Sequence, residues 1–299
     1  MDFVNAMFVC MTFAFVAVPL LLKAVGPSRL PDSVLRLYAY GKITGGARPS
    51  GVLSVPKRWY RHFYVASAVL VALAALAMAD AYFCAADASW RVAAFSRRWL
   101  WDPVRHAEPS YSAATASTAV AMAVLQCARR TYETHFVNVF SDTAVGLWYY
   151  ASGYMHYVGM IVTIMAEAPA APGPPFCTGF AEVVRLVAGA LLFAWAYREQ
   201  WRANVALAAV RKSDGRVATH EHRVVTGGLF ELVSSPQMFT EMVLYGAWYV
   251  VLWGSSGWKY VLLFVWGNQL EIALISHRWY QDKFEDYPRN RKAIIPYLL

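Results

Sequence analysis

Seven apolar runs restrict the fold of this chain more than any other feature, because each is long enough to cross the roughly 30 Å hydrocarbon core of a bilayer. With 58% hydrophobic and 15% charged residues among 299, the chain has too little polar surface to cover a soluble domain of this size. The first run is longer than the apolar core of a signal peptide and lacks a basic segment before it, so we expect it to be retained. We therefore predict a single-domain, all-α membrane protein with seven transmembrane helices, near residues 4–26, 62–86, 112–134, 145–166, 181–205, 237–254 and 258–281.

Basic residues decide the predicted orientation, because cytosolic loops of membrane proteins collect Lys and Arg. Segments 29–61, 198–223 and 283–292 are rich in both, whereas segment 168–176 carries no Lys or Arg. The loop near 87–111 holds four arginines and departs mildly from the rule. We expect a lumenal N-terminus and a cytosolic C-terminus. The formal charge of +8 is then explained by topology and by anionic membrane lipid, and nucleic acid is not expected as a partner.

Polar side chains recur at helical spacing in three of the later runs, although such groups are costly at membrane depth and tend to face a bundle interior or a cavity. All three sets lie toward the predicted cytosolic ends and border basic segments. We therefore predict a cavity that is open to cytosolic anions and binds a phosphate-bearing molecule. For any one helix, hydrogen bonds that join helices remain an equal alternative. The sets are Gln200, Asn204 and Arg211; Gln237, Glu241 and Tyr245; and Gln269, His277 and Tyr280, with Asn268 and Glu271 on another face of the last helix.

Three local patterns carry weaker signals. In LQCARRTYETHF, Arg130 and Glu133 are spaced to reach a pocket together, or the arginines extend to the membrane interface. The glycines of TGGLF are expected to form a tight turn before Ser234 or Ser235 caps the sixth helix. The cysteines and histidines show neither CxxC nor HExxH spacing, so no metal site is predicted. A disulfide between Cys84 and Cys177 is conceivable from the predicted topology alone.

The C-terminal half resembles the steroid 5α-reductase family. The resemblance rests on GGLFELVSSPQMFTE at 227–241 and SHRWYQDKFEDYPRNRKAIIPYLL at 276–299, because family members end in a similar H-x-x-Y, F-x-x-Y-P, R-K-A, I-P series. YGK at 40–42, VPKRWYRHFYV at 55–65 and LQCARRTYE at 125–133 are more similar to the polyprenol/polyprenal reductase branch than to the steroid-reducing branches. The matches cover most of the chain, except the loop at 84–111.

This resemblance implies a multi-pass enzyme of the endoplasmic reticulum membrane that uses NADPH to reduce a carbon–carbon double bond conjugated to a carbonyl. Steroid 5α-reduction, an isoprenylcysteine-type methyltransferase, and a receptor or transporter remain the alternatives. The tail at 284–299 is then expected to cover the cofactor, with Arg289, Arg291 and Lys292 near its phosphates; the other interpretation is a polybasic stretch on anionic lipid. The implied cofactor residues are Gln200, Asn204, Arg211, His222, Arg223, Gln237, Glu241, His277, Tyr280 and Arg291.

The chemistry of hydride addition limits the expected substrate to a compound whose double bond is conjugated to a carbonyl. Hydride adds readily to an alkene only where the developing charge can reach a conjugated carbonyl oxygen, so we predict the long-chain polyprenal, drawn from the bilayer, as substrate rather than the polyprenol. Its product, dolichal, would serve dolichol synthesis and protein N-glycosylation. A donor to the aldehyde oxygen is required. The resemblance places a carbonyl-contacting acid near His62, with Arg130, Tyr132 and Glu133 as further candidates, and no obligate protein partner is inferred.

Overall fold

The computed structural model describes residues 3–17, 19–20, 53–83, 91–106, 108–141, 143–171 and 176–299. Within these ranges the chain is predominantly helical. We number the helices in chain order as α1 (Phe3–Thr12), α2 (Tyr60–Phe83), α3 (Arg91–Ser96), α4 (Ala113–Tyr132), α5 (Leu147–Ala166), α6 (Phe180–Ala209), α7 (Pro236–Val251) and α8 (Trp258–Lys283). Tighter or wider turns add Lys57–Trp59 and Gly228–Glu231 as 3₁₀ helix, and Phe13–Ala17, Arg97–Trp101 and Glu133–Val137 as π-helix.

The predicted apolar runs coincide with α1, α2 and α4 to α8, within a few residues wherever both ends are described. Two helical segments, Lys57–Phe83 and Phe180–Ala209, are long and apolar enough to cross a membrane. The number of spans and the side of each terminus stay predictions. α3 lies inside the segment that was predicted as a loop. Most of the basic segment 29–61 and Cys84 of the conceivable disulfide lie outside the described residues.

Two short ladders modify the all-α expectation. Strand β1 (Ser54–Pro56) pairs antiparallel with β2 (Ala144–Gly146), and β3 (Lys212–Ser213) pairs with β4 (Arg216–Val217). The second ladder is a hairpin whose two turn residues, Asp214 and Gly215, have φ of 51° and 75°. Asp-Gly suits such a turn because both positions require positive φ. Asp-Gly is therefore a local hairpin signal, which is independent of the apolar runs.

The helices turn apolar faces outward as well as inward. On α6, Val187, Leu191 and Trp195 follow one another at every fourth residue and are all exposed. On the opposite side, Gly189 packs so closely on α7 that a Cβ there would lie 2.5 Å from the Val251 side chain. An outer apolar face combined with buried polar groups at the helix ends is the arrangement expected of a bundle surrounded by lipid.

The predicted turn at TGGLF is present, since Gly227 and Gly228 have φ of 90° and 56°. Ser235 occupies the N-cap of α7, but its side chain makes no capping hydrogen bond. Pro236 at the first helical position has no N–H to satisfy, which reduces the need for one. The Ser234 hydroxyl instead contacts the Nδ1 atom of His277 at 2.6 Å. The prediction of a side-chain cap was therefore wrong, although the helix begins where it was expected.

The C-terminal segment, residues 284–299, is folded against α8 and the loop before α7. Val233 and Lys292 form a parallel bridge, in which the Ser234 N–H donates to the Lys292 carbonyl at 2.9 Å. The ring of Tyr287 stacks on Tyr280 with centroids 5.5 Å apart. Ile294 is fully buried. These contacts hold the loop that leads into α7 in place.

Candidate active site

A cavity of about 960 Å³ lies at one end of the bundle, where α2, α5 and α7 begin and α6 and α8 end. This is the end for which the basic segments predict a cytosolic location. The cavity has a basic polar part and an aromatic part. Its polar and basic lining includes Lys57, Asn138, Asn204, Arg211, His220, His222, Arg223, Gln237, Glu241, Asn268, Gln269, Glu271 and Lys283, and its aromatic lining includes Phe15, Tyr60, Phe63, Tyr64, Tyr149, Tyr157, Phe264, Trp279 and Tyr280.

The basic part gathers four cations, Lys57, Arg211, Arg223 and Lys283. Arg211 joins two segments around it, because its Nη1 donates to the Val139 carbonyl at 2.9 Å and its Nε donates to the Glu221 carbonyl at 3.2 Å. Burial lowers the pKa of Arg211, and the neighbouring Tyr280 opposes this shift. A guanidinium nevertheless stays charged at neutral pH. The basic part is therefore suited to an anion with phosphate groups.

Seven of the ten residues predicted to hold a cofactor line this cavity. They are Asn204, Arg211, His222, Arg223, Gln237, Glu241 and Tyr280. They come from α6, the 211–223 connection, α7 and α8. Helical spacing indicated that α6, α7 and α8 meet here, whereas His222 and Arg223 were implied only by the resemblance.

The other three predicted cofactor residues do not line the cavity. Gln200 lies behind it, where its Nε2 donates to the Gln237 carbonyl at 3.2 Å and to the Glu241 carboxylate. His277 binds Ser234 and thereby joins α8 to the loop before α7. The Nη1 atom of Arg291 donates to the Val225 carbonyl at 2.9 Å. In this arrangement these three side chains support the wall of the cavity.

A buried polar network stands behind the wall between α4, α6 and α7. Arg129 donates to Gln126 at 2.7 Å and also to Gln200, which in turn donates to Glu241. Arg130 pairs with Glu133, which lies 3.5 Å from the Nε atom of Arg129. The two arginines and two glutamates balance one another, so the charge of Glu241 is compensated from behind.

The aromatic part of the cavity is formed by α2 and α5. Phe63 stacks on Tyr157 with ring centroids 5.9 Å apart, and Tyr64 meets Tyr157 edge-on at 5.4 Å. Gly153 makes room for this packing, because a Cβ there would lie 2.6 Å from the Phe63 ring. His156 binds the Tyr245 hydroxyl through Nε2 at 2.6 Å. An apolar wall with a few hydroxyl groups suits an apolar molecule that carries one polar head group.

Two of the predicted carbonyl donors, His62 and Tyr132, lie outside the lining of the cavity. His62 is exposed and its Nδ1 lies 3.0 Å from the Tyr150 hydroxyl, outside the lining. Tyr132 is 53% exposed and packs on Phe136 and Trp201. Neither side chain lines the cavity, so a role for His62 or Tyr132 at the carbonyl stays a prediction without support from this geometry. At 3.6 residues per turn, positions two apart point to nearly opposite sides of a helix, so Tyr64 faces the cavity where His62 does not.

The remaining two predicted catalytic residues are buried behind the wall. Glu133 is fully buried and accepts a hydrogen bond from the Asn204 Nδ2 atom at 3.0 Å. Arg130 is mostly buried and donates to the Tyr64 hydroxyl at 2.9 Å through Nη2. They lie together, as their spacing predicted. They do not line the cavity, and they contact it through Asn204 and Tyr64.

Sequence reasoning missed the aromatic residues of the site. Tyr60, Phe63 and Tyr64 follow the i, i+3, i+4 spacing of one helix face, a signal that is present in the sequence. Asn268 and Glu271 were predicted on a different face from Gln269, yet all three line the cavity. A cavity of this width spans more than one face of α8.

Comparison with known proteins identifies the family. Residues 141–299 match the sequence profile described as 3-oxo-5-alpha-steroid 4-dehydrogenase. The chain is 34% identical over 281 residues to a Drosophila melanogaster protein named polyprenal reductase. The aligned region covers 90% of this chain and 85% of that protein. A Homo sapiens protein with the same name is 28% identical over 311 residues, covering 98% of this chain and 95% of the relative. The chain therefore belongs to the 3-oxo-5α-steroid 4-dehydrogenase, or steroid 5α-reductase, family.

Proposed function

We propose that this protein is an NADPH-dependent reductase that saturates the double bond next to the aldehyde of a long-chain polyprenal. The product is dolichal, which serves dolichol synthesis and protein N-glycosylation. The observation that carries the proposal is a cavity that joins a basic part to an aromatic part. It occurs in a chain that is similar over most of its length to proteins named polyprenal reductase.

The residues present fit a phosphorylated dinucleotide. Arg211 and Arg223 supply charge for the phosphates, and Asn204, Gln237 and Glu241 supply amide and carboxylate groups further into the cavity. When bound, NADPH supplies the hydride that the reaction requires. A cavity of about 960 Å³ is large enough for a cofactor and a substrate head group together. The polyisoprenoid tail then extends into the surrounding bilayer.

The aldehyde is required by the charge that develops during reduction. Addition of hydride to the β-carbon pushes an electron pair onto the carbonyl oxygen, and a proton then reaches the α-carbon. An allylic alcohol has no such oxygen to accept the pair. The apolar wall of the aromatic part can hold the enal head group, and a low-dielectric surrounding strengthens any hydrogen bond made to that oxygen.

The test is a substrate comparison with purified enzyme and NADPH. We expect polyprenal to be consumed with formation of dolichal and oxidation of one NADPH per molecule, and polyprenol of the same chain length to remain unchanged. Enzyme from the same preparation without NADPH is the control. Equal consumption of both lipids, or of neither, contradicts the proposal.

Steroid 5α-reduction is the second candidate, because the family profile carries that name. It also reduces a double bond conjugated to a carbonyl, so the same cavity chemistry serves it. Testosterone assayed beside polyprenal separates the two. A methyltransferase is disfavoured by the four cations in the lining, since S-adenosylmethionine carries no phosphate. Thermal stabilisation by NADPH but not by S-adenosylmethionine is expected.

We further propose a multi-pass location in the endoplasmic reticulum membrane, with seven spans, a lumenal N-terminus and a cytosolic C-terminus. Support comes from the exposed apolar face of α6 and from the two segments long enough to span a bilayer. The basic part of the cavity lies at the predicted cytosolic end, where NADPH is available. The C-terminal segment then holds the loop before α7 from the cytosolic side.

Replacing Arg211 with alanine is expected to weaken NADPH binding roughly 10- to 100-fold, because a hydrogen bond to a charged phosphate contributes about 1.5–3 kcal/mol. Arg211→Lys should restore only part of the affinity, since an ammonium lacks the planar fork of the guanidinium. Titration of NADPH by fluorescence measures the dissociation constant. Arg216→Ala, at an exposed arginine of β4, is the matched control and should bind normally. Equal affinities for wild type and Arg211→Ala contradict the assignment.

A further inference from the structure

Tyr64 lines the cavity, and its hydroxyl contacts the charged side chain of Arg130, which lies behind the cavity wall. Its side chain lines the aromatic part beside Tyr157. Its hydroxyl lies 2.9 Å from the Nη2 atom of Arg130, whose guanidinium carbon is 5.0 Å from the Tyr64 ring centroid. Arg130 therefore contacts both the oxygen and the ring of this tyrosine.

The direction of that hydrogen bond follows from the chemistry of the two groups. A guanidinium has only N–H donors and no acceptor, so the Tyr64 oxygen must accept from Arg130. The hydroxyl hydrogen of Tyr64 is then left for another acceptor. A cation that donates to the phenol oxygen also withdraws electron density from it, which strengthens the phenol as a donor.

Arg130 is itself held in place from the opposite side. Glu133 pairs with Arg130 and accepts from the Nδ2 atom of Asn204 at 3.0 Å. Asn204 lines the basic part of the cavity. A continuous chain of hydrogen bonds thus runs from Asn204 through Glu133 and Arg130 to Tyr64, and it connects the polar part of the cavity to the aromatic part.

We propose that Tyr64 is the donor to the carbonyl oxygen of the substrate, and that Arg130 is its positioning residue. This inference rests on the proposed function. When bound, NADPH would supply the hydride for the new C–H bond at the β-carbon and would become NADP⁺, while the π electrons of the enal would move onto the aldehyde oxygen. Tyr64 stabilises that oxygen by a hydrogen bond and keeps its proton. The α-carbon takes a proton that comes from water, so one hydride and one proton are added in total.

The test compares Tyr64→Phe with Tyr150→Phe. Both substitutions remove one hydroxyl at the same end of the bundle, but Tyr150 contacts His62 outside the cavity lining. We expect Tyr64→Phe to lower kcat about 100- to 1,000-fold, the range for loss of one such donor. The Kd for NADPH and the thermal unfolding temperature should stay at wild-type values. Tyr150→Phe should keep wild-type kcat.

A spectroscopic measurement separates donation from a purely structural role. A hydrogen bond to a carbonyl lowers its stretching frequency, so polyprenal labelled with ¹³C at the aldehyde is bound to the enzyme with NADP⁺ and examined by infrared difference spectroscopy. We expect a lowered carbonyl stretch in wild type and in Tyr150→Phe, and a frequency close to that in alkane solvent in Tyr64→Phe. Tyr157→Phe should retain the lowered stretch.

The outcomes distinguish this inference from the proposed function. If wild type reduces polyprenal but Tyr64→Phe keeps full kcat and the lowered stretch, Tyr64 is not the donor and the function stands. Loss of the shift in Tyr157→Phe alone assigns the role to Tyr157 and overturns the inference. If wild type does not reduce polyprenal at all, the proposed function itself fails.

Discussion

Glu133→Ala is expected to lower the free energy of unfolding by about 3–5 kcal/mol, the cost of removing one partner from a buried ion pair. Glu133 is fully buried, and it pairs with Arg130 while lying 3.5 Å from the Nε atom of Arg129. Both guanidiniums are buried or nearly so. Without the carboxylate, two like charges would face each other in a region of low dielectric constant, and Asn204 would lose its acceptor.

Unfolding by sodium dodecyl sulfate in mixed micelles measures this effect. Glu199→Ala is the matched control, because Glu199 pairs with Arg202 at 3.1 Å on the outer side of α6, where Arg202 is 57% exposed. A pair with an exposed partner contributes at most about 1 kcal/mol. Glu133→Gln should lower the free energy of unfolding by an amount between those for Glu133→Ala and Glu199→Ala, since an amide can still accept from Asn204 but carries no charge. Equal shifts for Glu133→Ala and Glu199→Ala would show that the network contributes no more than a surface pair.

Arg291→Met is expected to weaken NADPH binding without lowering the stability of the cofactor-free protein. Arg291 is buried, and its Nε and Nη2 atoms have no hydrogen-bond partner among the described residues. No carboxylate in the described part of the chain pairs with it. A buried charge without a counter-ion is destabilising, and its replacement by an apolar side chain of similar size is neutral or stabilising by about 1–4 kcal/mol. The loss of the bond to the Val225 carbonyl offsets part of that gain.

The cofactor-free protein with Arg291→Met should therefore unfold at the wild-type temperature or above it. NADPH should stabilise this variant less than wild type, with an affinity lower by about 10- to 100-fold if a phosphate compensates the guanidinium. Thermal unfolding with and without NADPH gives both values. Arg278→Met, at an exposed arginine of α8, serves as the control. Full stabilisation of Arg291→Met by NADPH rejects a cofactor role, and a lower unfolding temperature without cofactor identifies Arg291 as a structural tie to Val225.

The two substitutions test the same rule, that a buried charge without a counter-ion is destabilising, in opposite cases. Glu133 is the counter-ion of two buried arginines, so its removal leaves their charges less compensated and destabilises the fold. Arg291 is a buried cation that contacts the Tyr287 ring and the Val225 carbonyl but pairs with no carboxylate among the described residues, so the free-energy cost of burying its charge is already present. A protein retains such a group readily where a bound anion supplies the missing charge.

Helical spacing predicted which segments meet at the site. Gln237 and Glu241 are one turn apart on α7, and both line the cavity. The spacing could not show that Gln200, one turn from Asn204 on α6, lies behind the wall while Asn204 lines it. That difference arises because α7 packs against α6 so closely that Gln200 is covered by Gln237 and Glu241.

The folded C-terminal segment was also predictable, because Tyr287, Ile294 and the prolines around them are unlike a solvated tail. The contact that Arg291 of this segment makes was not predictable. The resemblance implies a phosphate near Arg291, and the structure adds that its Nη1 donates to the Val225 carbonyl. Local sequence carries no record of which distant carbonyl a long side chain will meet.

Run length and the distribution of charge along the chain were enough to specify a helical protein suited to a membrane, since both depend on each segment's own transfer from water to lipid. The choice between His62 and Tyr64 was of another kind. The two lie on the same short stretch of α2, and only the packing of α2 against α4 and α5 decides which of them faces the cavity and receives the hydrogen bond of Arg130. Side-chain direction relative to other helices is a property of the assembled bundle, and no segment possesses it alone.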